Sequence, residues 1–269
     1  MPTTPIILSI AGSDSGGGAG IQADIKAISA TGGYACTVIT ATTAQNTLGV
    51  TDVHPIPIAH IEAQLDAVFF DLDIQAVKIG MLADSAIIQV VAEKLRHYAP
   101  RHVVLDPVMV ATSGDLLLQQ EAIATLKEAL LPLATVITPN LPEAATLLDC
   151  TTPHSYQEIE ALIPELQQLA TPAVLLKGGH LQDQADSTDW LVRASGVQTF
   201  LAPRINTHNT HGTGCTLSAA IASYLGQGND LETAITLAKQ YLTGALVAAD
   251  QLHIGKGHGP VHHFYQQKG

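Results

Sequence analysis

Short apolar runs alternate with stretches of helical periodicity along most of this chain. The runs Ile6-Ile7-Leu8-Ser9-Ile10, Cys36-Thr37-Val38-Ile39-Thr40, Ala76-Val77-Lys78-Ile79-Gly80, His102-Val103-Val104-Leu105-Asp106, Thr135-Val136-Ile137-Thr138 and Ala173-Val174-Leu175-Leu176-Lys177 each have the length and composition of a buried strand. Between them, Ile21, Ile25 and Ile28 fall at helical spacing. So do Ile61, Leu65 and Val68, then Ile87, Val90, Val91 and Leu95, and later Ile159, Leu162, Ile163 and Leu166. This order predicts βαβ units, hence an α/β fold whose mostly parallel sheet is covered on both faces. Asp189-Trp190-Leu191-Val192 and Val197-Gln198-Thr199-Phe200-Leu201, separated by Ala194-Ser195-Gly196, predict an antiparallel hairpin instead. No internal repeat, low-complexity tract or linker interrupts the pattern, so one domain is expected over residues 1–269.

In an open parallel sheet, ligands bind beyond the carboxyl ends of the strands. Gly12, Gly80, Asp106, Asn140 and Lys177 each follow or close an apolar run, which puts unusual chemistry on one edge. The segment Asn206-Thr207-His208-Asn209-Thr210-His211-Gly212-Thr213-Gly214-Cys215-Thr216 runs straight into the apolar stretch Leu217-Ser218-Ala219-Ala220-Ile221-Ala222. Gly212 and Gly214 remove side chains where an anion must approach, and the following helix offers the free N–H groups of its N-terminus. A plain helix entry with threonine caps is the alternative that the segment alone allows.

Composition narrows the classes of partner. In 269 residues, 46% hydrophobic content and a positive mean hydropathy supply apolar surface for a substantial core. A formal charge of −12 leaves no basic stripe for displacing phosphate counterions, so no nucleic-acid partner is expected. The N-terminus lacks a basic region followed by a long apolar stretch, and no run of about 18 apolar residues occurs, which together point to a cytoplasmic chain without a membrane span. Cys36, Cys150 and Cys215 are odd in number and widely spaced, as reduced thiols are.

The G-T-G-C turn at Gly212 to Cys215, preceded by Asn-Thr-His and followed by a small-residue helix, resembles the ribokinase-like superfamily of small-molecule kinases. Most of that superfamily has an Asp base after the second glycine. Cys215 in its place resembles, within the superfamily, the hydroxymethylpyrimidine and phosphomethylpyrimidine kinases of thiamine synthesis. The opening Ser9-Ile10-Ala11-Gly12-Ser13-Asp14-Ser15-Gly16-Gly17-Gly18-Ala19-Gly20-Ile21-Gln22-Ala23-Asp24 and the segment Thr42-Thr43-Ala44-Gln45-Asn46-Thr47 resemble the same family, in its order, so the likeness covers essentially the whole chain.

The resemblance implies a three-layer αβα sandwich around a central, mostly parallel sheet. It also implies transfer of phosphate from ATP to a pyrimidine alcohol and then to its monophosphate, with Mg²⁺, a possible monovalent cation such as K⁺, and a homodimer. Catalysis would fall to Gly212, Thr213, Gly214 and Cys215, the last as base or as a neutral pocket residue. Gln45 would read the aminopyrimidine edge, which a planar carboxamide suits, in a pocket shared with Gly12, Asp24, Met81 and Val108. Lys177, Asp106 and Thr210 would contact the nucleotide, while Asn140 and Glu143 would hold magnesium and its waters. On bland grounds Asn140 and Glu143 are a helix cap and a first-turn acid. A pyridoxal or pyridoxine kinase and a non-catalytic pyrimidine- or nucleotide-binding regulator remain rival readings. His208, His211 and Cys215 are too few soft ligands for a persuasive zinc site, and His258, His262 and His263 read as a solvated tail. Whether a loop such as Ser113-Gly114-Asp115 closes over the product is not legible here.

Overall fold

The computed structural model describes residues 4–109, 120–179, 181 and 186–267; Ser113-Gly114-Asp115 and His180 lie outside the described residues. Among those described, one sheet contains β1 (Ile6–Asp14), β2 (Tyr34–Asn46), β3 (Gly49–Pro55), β4 (Ile74–Ile79), β5 (Val103–Leu105), β6 (Val136–Ile137), β7 (Val174–Lys177), β8 (Asp186–Arg193) and β9 (Gly196–Pro203). Their spatial order is β3-β2-β1-β4-β5-β6-β7-β8-β9. Strands β2 through β7 pair in parallel, while β3 at one edge and the β8–β9 hairpin at the other pair antiparallel. The six apolar runs and the expected hairpin thus lie in a mixed, mostly parallel sheet.

Alternation along each strand sorts the side chains onto two cores. Leu8, Ile10, Val77, Ile79, Val103, Leu105 and Ile137 face one layer of helices: α2 (Ile58–Asp71), α3 (Ser85–Tyr98), α4 (Gln120–Ala129), α5 (Leu141–Leu148) and α6 (Tyr156–Leu166). Ile7, Ala76, Val104, Val136 and Leu175 face the other: α1 (Gly20–Ala30), α7 (Thr213–Gly226) and α8 (Leu231–Val247). The result is the three-layer α/β/α arrangement. Helical spacing located the buried faces of α1 and α2, with Ile21, Ile28, Ile61 and Leu65 inside, although Ile25 remains 38% exposed.

Helix starts differ in a way that matters for the site. Asp84 Oδ1, Ser155 Oγ and Asp230 Oδ1 accept from the backbone of the first turns of α3, α6 and α8. At α7 the N-cap is Gly212, which has no side chain to offer; Thr213 N–H donates to Thr210 O, and no side chain caps the N–H groups that follow it.

Two readings from sequence change. The threonine-rich segment through Asn46 has no apolar alternation, yet β2 continues through it and hairpins into β3, because backbone pairing from Ala41↔Pro55 to Asn46↔Gly49 needs no particular side chains. The C-terminal histidines are not all a solvated tail. His263 is 4% exposed and hydrogen-bonds Thr216 Oγ1 at 2.9 Å, and the neighbouring Val261 is buried. Burial, with Lys26 and His262 nearby, pushes the His263 ring down to about 4, so it is neutral where it props α7.

Candidate active site

A cleft of about 660 Å³ runs along the carboxyl edge of the parallel strands. Every residue given a catalytic, substrate, nucleotide or metal role in the sequence lines it except Asp24. Gly12, Gln45, Met81 and Val108 lie on the side of β1, β2 and β4. The Thr210–Cys215 turn borders the cleft together with Asp106, Asn140, Glu143 and Lys177, and Arg204, Lys239, Leu242 and Leu246 line it beyond β7 and β8.

The turn before α7 is built by glycines with different duties. Gly212 has φ +80°, and a Cβ there would lie 1.8 Å from the Gly18 carbonyl oxygen, so its lack of a side chain serves the turn and its packing rather than a ligand. Gly214 is the residue that keeps space open toward the cleft. A Cβ on it would stand 3.3 Å from Lys177 Nζ and 3.5 Å from Asp106 Oδ2. Thr213 Oγ1 donates to Thr210 O at 2.6 Å, which ties the turn back on itself.

A second loop faces this turn. Asp14 accepts from the N–H groups of Gly16, Gly18 and Ala19, and His211 Nε2 donates to its Oδ2 at 2.8 Å. Burial raises that carboxyl, but His211 and the N–H donors outweigh burial and leave it below the usual range. Asp14 and His211 were not assigned roles from sequence. The glycine run after Asp14 was the signal, since a carboxylate followed by small residues can gather successive N–H groups.

Under the cleft lies a chain of charges. Lys177 Nζ donates to Asp106 Oδ1 at 2.9 Å, and Thr138 Oγ1 donates to the same oxygen. Burial alone would raise Asp106, yet the Lys177 and Lys78 ammoniums bring it below the usual carboxylate range. Asn140 and Glu143 form a full capping box: Glu143 N donates to Asn140 Oδ1 and Asn140 N donates to Glu143 Oε2, each at 2.8 Å. The helix-start reading is therefore met, and the same two residues also line the cleft. Burial, with Lys177 opposing and Asp106 reinforcing, pushes Glu143 up to about 7.

Asp24 is not at the wall. It is wholly buried behind Lys78, whose Nζ donates to both its oxygens at 2.9 and 2.8 Å, while Ser9 Oγ donates at 2.6 Å. Lys78 lies in a run of apolar residues and was read from sequence only as part of a strand. Its charge inside that run was the available signal. Cys215 is half-buried at the cleft, and desolvation pushes its thiol up to about 11, Lys78 pulling it down and Asp24 and Asp106 pushing it up. It is a neutral thiol at neutral pH. Cys36 and Cys150 are free as well. Among the described residues no group of three or more His, Cys, Asp or Glu is placed to hold a metal, and no helix is long and apolar enough to cross a membrane.

The likeness to known proteins follows the same outline. Residues 14–262 match the model of the phosphomethylpyrimidine kinase family. A hydroxymethylpyrimidine/phosphomethylpyrimidine kinase of Salmonella typhimurium is 54% identical over 258 residues, covering 96% of this chain and 97% of that protein. A phosphomethylpyrimidine kinase structure from Clostridium difficile superposes with TM-score 0.79 at 43% identity, over 90% of this chain and 100% of that one. An ADP complex of Bacillus subtilis pyridoxal kinase superposes with TM-score 0.90 at 33% identity, over 98% and 99% of the two chains. The fold alone therefore does not separate the two activities, and the sequence does: this chain belongs to the phosphomethylpyrimidine kinase family.

Proposed function

We propose that this chain is an ATP-dependent kinase that phosphorylates the hydroxymethyl group of 4-amino-5-hydroxymethyl-2-methylpyrimidine and then the resulting monophosphate, giving the pyrophosphate used for thiamine. The observation that carries this reading is one continuous cleft holding a carboxamide at one end, an uncapped helix N-terminus, and a carboxylate–lysine network. Relatives named for both phosphorylations, and more than half identical, support it.

Gln45 holds the aminopyrimidine. Its carboxamide lies 3.0 Å from Thr43 Oγ1, whose proton is also within reach of Ser13 O, so one end of the amide is anchored and the other is left to meet the pyrimidine edge. Gly12 lets Met81 pack close against β1, since a Cβ there would meet Met81 Cε at 2.5 Å, and Met81 and Val108 supply apolar walls. The first-turn N–H groups at Gly214 and Cys215 receive the phosphoryl group as charge moves onto it, an effect that depends on dipoles already in place, while Thr213 holds the turn through Thr210 O.

Lys177 and Thr210 contact the nucleotide phosphates. Mg²⁺ would neutralise phosphate charge and keep most of its own water shell. The donor set fits a hard cation bound largely through water. Glu143 accepts from the backbone N–H groups of Asn140 and Met109 and can meet a hydrated cation through its remaining lone pairs, Asp106 stands nearby in the network, and Asn140 acts by holding Glu143. The proposal includes a single domain, a homodimer and a cytoplasmic location, on the strength of the family likeness.

Transfer of this kind rests on positioning and charge neutralisation, which these groups supply. The TM-score of 0.90 with a pyridoxal kinase favours one rival acceptor. An ADP-release assay with the pyrimidine alcohol, its monophosphate and pyridoxine side by side decides between them. We expect kcat/KM for both pyrimidines to exceed that for pyridoxine at least tenfold; preference for pyridoxine, or no turnover, would overturn the reading. Running the assay in potassium and in a bulky organic cation reads any K⁺ dependence.

A further inference from the structure

Lys78 is a charged residue in the middle of a buried strand. Its neighbours Ala76, Val77 and Ile79 are all fully buried apolar residues, and Lys78 itself has no exposed surface. Burying an ammonium is unfavourable unless a partner and good geometry compensate. Asp24 compensates it, and Ser9, beside Lys78 in the parallel register of β1 and β4, satisfies Asp24 in turn. Burial lifts Asp24 and works against the Lys78 charge, but the contact between them prevails at Lys78, which stays protonated.

The pair is oriented. Lys78 borders the cleft and Asp24 does not, so the lysine stands nearer than the carboxylate to the space a ligand would fill. Gly80 makes that placement possible, because a Cβ there would come within 2.8 Å of Lys78 Nζ. Like Lys78, the other lysines and the arginine bordering the cleft are already engaged, but they lie at β7 and beyond. Lys177 pairs with Asp106, Lys239 pairs with Asp189, and Arg204 donates to the carbonyls of Gly179 and Leu181. Lys78 is thus the lysine of the acceptor side, three residues before Met81 and beside β1.

We propose that Lys78, held by Asp24, is the residue that lets this pocket accept a phosphomonoester as well as a neutral alcohol. This rests on the function proposed above and adds a determinant of acceptor charge to it. The two acceptors differ by roughly 1.5 to 2 negative charges near neutral pH. Against the buried residues that form the cleft wall, such a charge is poorly tolerated unless a fixed cation faces it. Lys78 has already left water and is held rigidly, so it answers that charge without reorganising. To a neutral hydroxymethyl group the Lys78–Asp24 pair is nearly a neutral dipole, and its influence is small.

The experiment compares wild type with Lys78→Arg and with the double variant Lys78→Met, Asp24→Asn, which removes the cation without leaving a lone buried carboxylate. Specificity constants are measured for the alcohol and for the monophosphate, with ADP affinity and thermal melts as controls on integrity. The double variant should lose at least 100-fold in kcat/KM for the monophosphate, mainly through KM, and less than tenfold for the alcohol. Lys78→Arg, which keeps the charge, should hold the ratio of the two constants within about threefold of wild type. Equal losses for both acceptors in the double variant, or an Arg variant as selective against the monophosphate as the double variant, would overturn the inference while leaving the proposed function standing. A wild-type enzyme inert toward both pyrimidines would overturn the proposed function, and this inference with it.

Discussion

Glu143 titrates at about 7, so its charge is incomplete at neutral pH. Its folded-state pKa lies above the ordinary 4.5, which means the folded chain holds this proton more tightly than the unfolded chain. Its contribution to stability therefore falls as pH rises from about 4.5 through 7. Glu143→Gln should remove that slope, and urea midpoints of the two proteins at pH 5 and pH 8 measure it. A magnesium role adds a second expectation: the wild-type magnesium requirement should ease as pH rises through 7, whereas Glu143→Gln should need more magnesium at every pH. Superimposable magnesium titrations would leave Glu143 as half of a capping box only. Gln45→Leu should weaken pyrimidine binding by about 1–3 kcal/mol, the penalty for a polar edge left unpaired, with ADP affinity unchanged in the same calorimetric titrations. Cys215 poses a different question. Its thiol, pushed up to about 11, is uncharged beside either acceptor. A carboxylate in its place would repel the monophosphate, so Cys215→Asp should depress kcat/KM for the monophosphate far more than for the alcohol. Cys215→Ser should keep much of the second step, and its complete loss would assign the thiol a direct chemical role.

At the scale of elements, the start of α7 carries the most, and its two glycines separate stability from chemistry. Gly212→Ala forces a side chain into a left-handed residue, at about 1–2 kcal/mol for the conformation alone, and drives a Cβ against Gly18. We expect a lower melting temperature and loss of both phosphorylations. Gly214→Ala meets only a 3.3 Å contact with the end of Lys177, so the protein should melt near the wild-type temperature while kcat falls for both acceptors. Thermal melts beside ADP release check the contrast. The start of α7 was legible because Gly212 to Gly214 run straight into an apolar stretch, although the segment alone also allowed a plain helix entry. The β2 extension and β3 were not, because Thr42 to Asn46 and Thr51 to His54 pair through their backbones and show no apolar alternation. His263 was misread for a related reason: its burial comes from contact with Thr216, 47 residues away, which no local pattern announces.

Across the whole molecule, strand order turns scattered residues into one site. β1 and β4 are adjacent although β2 and β3 intervene in sequence, and so Gly12, Lys78 and Met81 meet on one side of the cleft. The parallel strands and most helices were legible because their apolar periodicity is strong. Positions of Asp106, Asn140 and Lys177 at or just past strand ends were legible for the same reason, whereas β1 runs on past Gly12 to Asp14. What escaped was polar and long-range: the Asp14–His211 pair spans 197 positions, and the Lys78–Asp24 pair couples a strand to a helix across 54. The family likeness supplied the chemistry, while the structure supplied the ordering of charges along the cleft, from Lys78 through Asp106 to Lys177 and Glu143. That ordering makes one claim central, that a single cleft serves two successive phosphorylations of the same pyrimidine. Phosphorus NMR on the purified protein with ATP, magnesium and the pyrimidine alcohol follows both steps in one tube. The account predicts a monoester signal that rises and then gives way to a diphosphate ester, with both phases slowed together in Gln45→Leu. A monoester that accumulates without further change, or a second phase that keeps its wild-type rate in Gln45→Leu, would contradict it.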